Sequence, residues 1–148
     1  LFTIVDGPSI DPRLLVEKLN EWSREYQIEL VCADGFRMDL LKPLLEEAGF
    51  EYEFLRNPGA IQSKVAPIIE DGFANERFVF EGDNSMIWYT DNTYVKEDKD
   101  GNKRFLKKEP VRRKTDGFHA LIAALYKREL VQESNVGEFL DMIDGWEF

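Results

Sequence analysis

The spacing of apolar residues changes several times along the chain, and each change marks an element. Residues 1–5 (LFTIV) are a short strand-like run, broken by Asp6-Gly7-Pro8. Asp11-Pro12 is a helix start, with Asp as cap and Pro at the first helical position. Leu14, Leu15, Lys18, Leu19, Trp22 and Tyr26 then recur at helical spacing. Residues 28–33 (IELVCA) are apolar apart from Glu29, the pattern of a strand buried on both faces. Asp34-Gly35 ends that strand. Residues 36–48 read as a helix with Gly49 as its C-cap, and residues 50–55 alternate as a third strand. Residues 56–59 (RNPG) form a loop before a helix over 61–73, bent near Pro67. Residues 77–80 read as a short strand and 85–92 as a short helix carrying Trp88. Residues 94–106 form a β-hairpin with Asp100-Gly101 at its tip. A last helix runs from near Thr115 to about Leu130. Residues 132–148 are an acidic tail with scattered apolar positions, either a short helix or a poorly ordered end.

Strands and helices alternating through the first half predict a right-handed α/β unit with a largely parallel sheet. No repeat, low-complexity tract or linker interrupts it, so residues 1–131 are expected to form one domain, followed by the tail at 132–148. The 148 residues suffice for a core, and 43% hydrophobic with 13% aromatic residues exclude general disorder despite a net charge of −10. No apolar run reaches the roughly 18 residues of a membrane span. Residues 1–5 are too short and lack the basic flank of a signal peptide. The first residue is Leu rather than Met, which suggests a processed or excised piece. Cys32 is the only cysteine, which excludes an internal disulfide and a thiolate zinc site; it reads as a core residue in a reducing compartment.

Charge is uneven along this acidic chain. Residues 96–114 hold nine Lys/Arg against four Asp/Glu, while all other positions hold ten against twenty-five. A basic island on an acidic body can touch phosphate locally while the remainder repels it, although a solvated hairpin has the same composition.

Two acids are candidates for chemistry. Asp34 directly follows an apolar strand, and the carboxyl ends of strands in open α/β sheets face the functional crevice. A carboxylate there can hold Mg²⁺ or Mn²⁺, or simply cap the next helix. Asp116 opens the last helix, sharing a face with His119, Ala120 and Ala123. There too, an acid is favoured by the helix dipole with no further role. Asp39, five residues after Asp34 on the first turns of the same helix, either backs up such a metal site or is a solvated charge. His119 is the only histidine and cannot make a zinc site alone. Two acids on separate elements are the raw material of a two-metal phosphodiesterase, which needs three or four carboxylates. A P-loop, a G-x-S-x-G elbow and an H-E-x-x-H helix are all absent.

From Trp88 onward the chain runs through Asn92, a strand, Asp100-Gly101-Asn102, a strand with Lys107-Lys108, and Lys114-Thr115-Asp116-Gly117 followed by Ala120 and Ala124. This order resembles the end of the large terminase subunits of tailed bacteriophages of the HK97-like family. There a tryptophan and an asparagine precede a D-x-x-G-N hairpin, a lysine-bearing strand and a K-I-D-G-x-x-A helix. Ile10-Asp11, the helix to Tyr26, residues 28–34 and the L-x-x-x-G ending at Gly49 resemble the same family's central unit. The likeness covers residues 1–130.

The resemblance implies an RNase H-like mixed sheet flanked by helices, with the first strands of the fold missing. It implies a metal-dependent endonuclease that cuts concatemeric viral DNA during packaging, in the cytoplasm of a bacterial host. Two Mg²⁺ or Mn²⁺ ions would be held by Asp34 and Asp116, together with an aspartate on a strand preceding this chain. Without that aspartate, weak or no cleavage is expected of the chain alone. Lys103, Arg104, Lys107, Lys108, Arg112, Arg113 and Lys114 would steady the double-stranded DNA. A portal protein and a small terminase subunit would be partners, and no membrane is involved. A non-catalytic docking module for those partners, with the tail as a docking segment, and another RNase H-like nuclease are the alternatives.

Overall fold

The computed structural model describes residues 10–35, 38–80, 82–109 and 111–128. The chain forms two compact units, Leu1–Arg56 and Asn57–Phe148. The strand expected at residues 1–5 and the acidic tail lie outside the described residues.

In the first unit, α1 (Arg13–Trp22) starts after Pro12, and Asp11 Oδ1 accepts the Arg13 N–H at 3.0 Å. The Asp11 carboxylate also holds the Arg13 guanidinium at 2.6 Å. The apolar period continues to Tyr26, but the helix stops at Trp22, and Tyr26 closes a single turn through its N–H to the Trp22 carbonyl at 2.8 Å. Strand β1 (Val31–Asp34) pairs in parallel with β2 (Tyr52–Leu55), aligning Val31 with Tyr52 and Asp34 with Leu55. Between them runs α2 (Met38–Ala48), which ends on Gly49 at φ +76°, a conformation that favours glycine. The Phe50 N–H closes that end on the Leu45 carbonyl at 3.0 Å. Helices α1 and α2 pack together, and Leu19 and Leu45 are buried. β1 is shorter than the apolar run predicted, and Val31, Cys32 and Ala33 are half-buried, because β2 is its one partner among the described residues.

In the second unit, α3 (Pro58–Ala74) begins earlier than the sequence pattern suggested. Asn57 takes a left-handed conformation, its side chain accepts the Ala60 N–H at 3.3 Å, and Pro58 fills the first helical position. Helix α4 (Asn84–Asp91) is capped by Asp83, whose carboxylate accepts the N–H groups of Ser85 and Met86 at 2.8 and 3.1 Å. Strands β3 (Thr93–Glu97) and β4 (Lys103–Lys107) form the expected antiparallel hairpin. Helix α5 covers residues 116–128. The core joins Ile61, Val65, Ala66 and Ile69 of α3 to Phe105 of β4 and to Phe118, Ile122 and Leu125 of α5. The Phe105 and Phe118 rings meet at 5.2 Å.

Two local expectations are corrected. The hairpin tip is not a two-residue turn: residues 98–102 bridge the strands, and Asp98 Oδ1 accepts the N–H groups of both Asp100 and Asn102 at 2.9 Å. A carboxylate gathering two amide donors reshapes the loop more strongly than the Asp-Gly preference does. Residues 77–80 pair with no strand among the described residues. Phe78 and Phe80 instead fold back on Phe73 at the end of α3, with ring centroids 5.0 and 6.3 Å away. The same alternation of aromatic and other residues suits both outcomes.

Candidate functional site

Asn92 is fully buried at the junction of α4 and β3, and all its hydrogen-bonding groups are used. Its N–H donates to the Trp88 carbonyl at 3.1 Å and its carbonyl accepts the Lys108 N–H at 2.9 Å. Its side-chain amide donates to the Lys114 carbonyl at 2.9 Å, while Oδ1 accepts from the Arg113 guanidinium at 3.1 Å. One residue, through its backbone and its side chain together, therefore ties both ends of the hairpin to residues 113 and 114, immediately before α5. Unmaking such a bond would strand a buried polar group, so the junction is held in one arrangement.

Asp116 is the first residue of α5 and is exposed. No hydrogen bond or ion pair engages its carboxylate among the described residues. Thr115, in the position before the helix, is buried, and its hydroxyl has no partner, so it does not act as a side-chain cap. The Thr115 carbonyl accepts twice at 3.0 Å, from the His119 N–H and from His119 Nδ1. A carbonyl oxygen only accepts, so Nδ1 is the donor in this bond.

Asp34 ends β1, is exposed, and belongs to the first unit, whereas Asp116 belongs to the second. Asp39 is exposed in the first turn of α2, where a negative charge is favoured by the helix dipole. Asp34, Asp116 and His119 have the donor chemistry of divalent-cation ligands. Among the described residues no group of three or more His, Cys, Asp or Glu gathers closely enough to hold an ion. Asp116 and His119 lie three positions apart on α5, and no third donor joins them among the described residues.

The basic residues separate by role. Lys103 is engaged by Glu70 of α3 at 2.6 Å, and that carboxylate raises the Lys103 pKa. Arg113 is tied to Asn92 and lies 3.7 Å from Glu109. The Arg104 guanidinium lies against Gly59 of α3, where a β-carbon would collide with it. Lys107, Lys108, Arg112 and Lys114 are exposed, with no ion pair among the described residues. The free cationic surface therefore sits at the base of the hairpin, beside the Asn92 junction, rather than along its whole length.

Pattern reading did not single out Gln62 and Ser63. Gln62 Oε1 accepts the Phe105 N–H at 2.9 Å, and the Ser63 hydroxyl donates to the Lys103 carbonyl at 3.1 Å. Both satisfy the outer edge of β4, where another strand would otherwise pair. The signal was a glutamine on the buried stripe of α3 between Ile61 and Val65.

The chain matches no family model, no curated protein and no solved structure. No helix among the described residues is long and apolar enough to cross a membrane.

Proposed function

We propose that the chain is part of a metal-dependent DNA endonuclease, the RNase H-like nuclease region of a phage packaging terminase. The observation that carries this reading is the Asn92 junction. It joins Lys108 and Lys114 through their backbone groups just ahead of the helix that opens on Asp116, whose carboxylate is unpaired among the described residues. A carboxylate for a cation next to unpaired cations for phosphate is the combination that phosphodiester hydrolysis uses. Asp34, at the carboxyl end of a strand of the parallel pair, supplies the second metal-binding acid in this reading. Mg²⁺ or Mn²⁺ is the cofactor and double-stranded DNA the substrate.

The test is a crystal of the chain soaked in Mn²⁺ and measured for anomalous scattering. Metal density on Asp34 and on Asp116 supports the reading, and two acids each without metal contradict it.

Exposed apolar residues favour a second reading, a docking module for a portal or small subunit. Ile87 and Trp88 of α4 are 44% and 43% exposed, and Tyr94 and Leu106, cross-strand neighbours on one face of the hairpin, are 41% and 37% exposed. Capture of either partner that survives Asp116→Asn but not Trp88→Ala would favour docking.

A further inference from the structure

The β3–β4 hairpin packs one face on α5 and leaves the other bare. Phe105 is buried against Phe118 of α5, so the residues that alternate with it turn the opposite way. Those residues are Tyr94 and Lys96 of β3 and Leu106 and Arg104 of β4, directly opposite one another across the ladder. Lys108 lies one alternation beyond Leu106, and its N–H on the Asn92 carbonyl at 2.9 Å extends the ladder to it. All five are exposed, and Lys96 and Lys108 have no ion pair among the described residues. The outer face is thus an apolar centre, Tyr94 and Leu106, set between two unpaired ammonium groups.

The same chain carries the complementary chemistry. Residues 132–148, outside the described residues, hold five Asp/Glu and no Lys/Arg. Phe139, Met142, Ile143 and Trp146 recur there at i, i+3, i+4 and i+7. On a helix this spacing gathers four apolar side chains on one face, with Glu138 and Glu147 on its flanks. Apolar centre would meet apolar stripe, and flanking cations would meet flanking acids.

The reach is sufficient. α5 covers residues 116–128, about 20 Å at 1.5 Å per residue, and its start lies beside the hairpin where Phe118 meets Phe105. Residues 129–138 extend to about 33–36 Å, enough to return along the helix. A tether this short sets an effective concentration in the millimolar range, so weak contacts suffice. Two other occupants match less well. A phosphate backbone satisfies Lys96 and Lys108 but offers nothing apolar to Leu106. A second copy pairing face to face sets Lys96 and Lys108 against like charges.

We propose that residues 132–148 dock on the outer face of the β3–β4 hairpin and shield its cations, so that the chain's own acidic tail competes with outside polyanions for this surface. The proposal goes beyond the metal-dependent reading and does not rest on it, since docking requires neither a divalent cation nor cleavage.

The experiment uses the full 148-residue chain, ¹⁵N-labelled. A nitroxide is attached through Gly137→Cys in a Cys32→Ser background, which leaves one thiol to label. Paramagnetic broadening of backbone amides then reads which surface the tail visits. The expected result is broadening at residues 94–96 and 104–108 at low salt, lost when Phe139→Ser and Trp146→Ser are added. Those two substitutions leave the net charge unchanged. Without the nitroxide, the same pair should tighten binding of a short fluorescein-labelled DNA duplex by about threefold or more, because the open face is no longer a minor population. Hairpin amides that stay sharp, or broadening indifferent to the two substitutions, overturn the proposal. DNA affinity that is the same with and without them, or absent from both, overturns it as well. Broadening passed from unlabelled nitroxide-bearing chains to ¹⁵N chains without a nitroxide would assign the face to a second copy and overturn docking within one chain.

Discussion

At the residue scale, the consequences of a substitution depend on what its neighbours can do. Asn92 uses every polar group it has in a fully buried position. Asn92→Ala should cost about 2–4 kcal/mol, because it leaves the Lys114 carbonyl and the Arg113 guanidinium without that partner. Chemical denaturation reads the loss, and a change under 1 kcal/mol would mean the junction holds itself without Asn92. The two buried glycines of α3 should behave oppositely. At Gly59 an added methyl meets the guanidinium end of Arg104, which can swing aside, so Gly59→Ala should be near neutral or mildly stabilising. At Gly72 it meets the Phe78 ring, held in the cluster with Phe73 and Phe80, so Gly72→Ala should destabilise by about 1–3 kcal/mol. Thermal melts of the two variants side by side check the contrast.

At the element scale, the hairpin depends on groups beyond its own ladder. Gln62→Leu keeps most of the volume but removes the acceptor of the Phe105 N–H, so a loss of about 1–3 kcal/mol is expected, with faster hydrogen exchange at Phe105. At the tip, the amide donors of Asn102 and Asp100 hold the Asp98 carboxyl below its ordinary pKa. A carboxyl depressed in the folded state stabilises above its unfolded pKa and loses that contribution as pH falls through the folded value. The loop should therefore loosen only below about pH 4, seen as acid-induced shift changes at the Asn102 amide. Shift changes centred above that pH would contradict the assignment. Legibility also varies by element. Gly49 marks the end of α2 through backbone chemistry that is local, and sequence reading found it, whereas Asn57-Pro58, read as loop, is where α3 starts. Residues 77–80 looked like a strand because alternation does not reveal what the alternate side chains will touch. Gln62 was overlooked because its partner lies 43 positions away. Asp34 and Asp116 were legible as acids at element ends, whereas the junction that steadies Asp116 was not, since it joins residues 92, 108, 113 and 114.

At the scale of the whole molecule, a net charge of −10 opposes any polyanion, and the exposed cations beside the Asn92 junction must act against it. Binding to double-stranded DNA should be weak and steeply salt-dependent. Replacing Lys107 or Lys108 by Ala should lower the log–log salt slope by about 1 each, whatever the DNA sequence. Lys103→Ala should change the slope less, because Glu70 already engages that ammonium. Fluorescence anisotropy across a salt series separates the two cases, and equal effects would show that the ion pair gives way to phosphate.

The central claim is that the exposed carboxylate of Asp116, at the start of α5, takes up a divalent cation. Mn²⁺ titration of the ¹⁵N-labelled chain, followed by paramagnetic broadening of backbone amides, tests it most directly. The account predicts that the amides around residues 116–119 broaden at low Mn²⁺ concentration and that Asp116→Asn relieves the broadening. Amides around residues 116–119 that stay sharp, or broadening that survives Asp116→Asn, would contradict it.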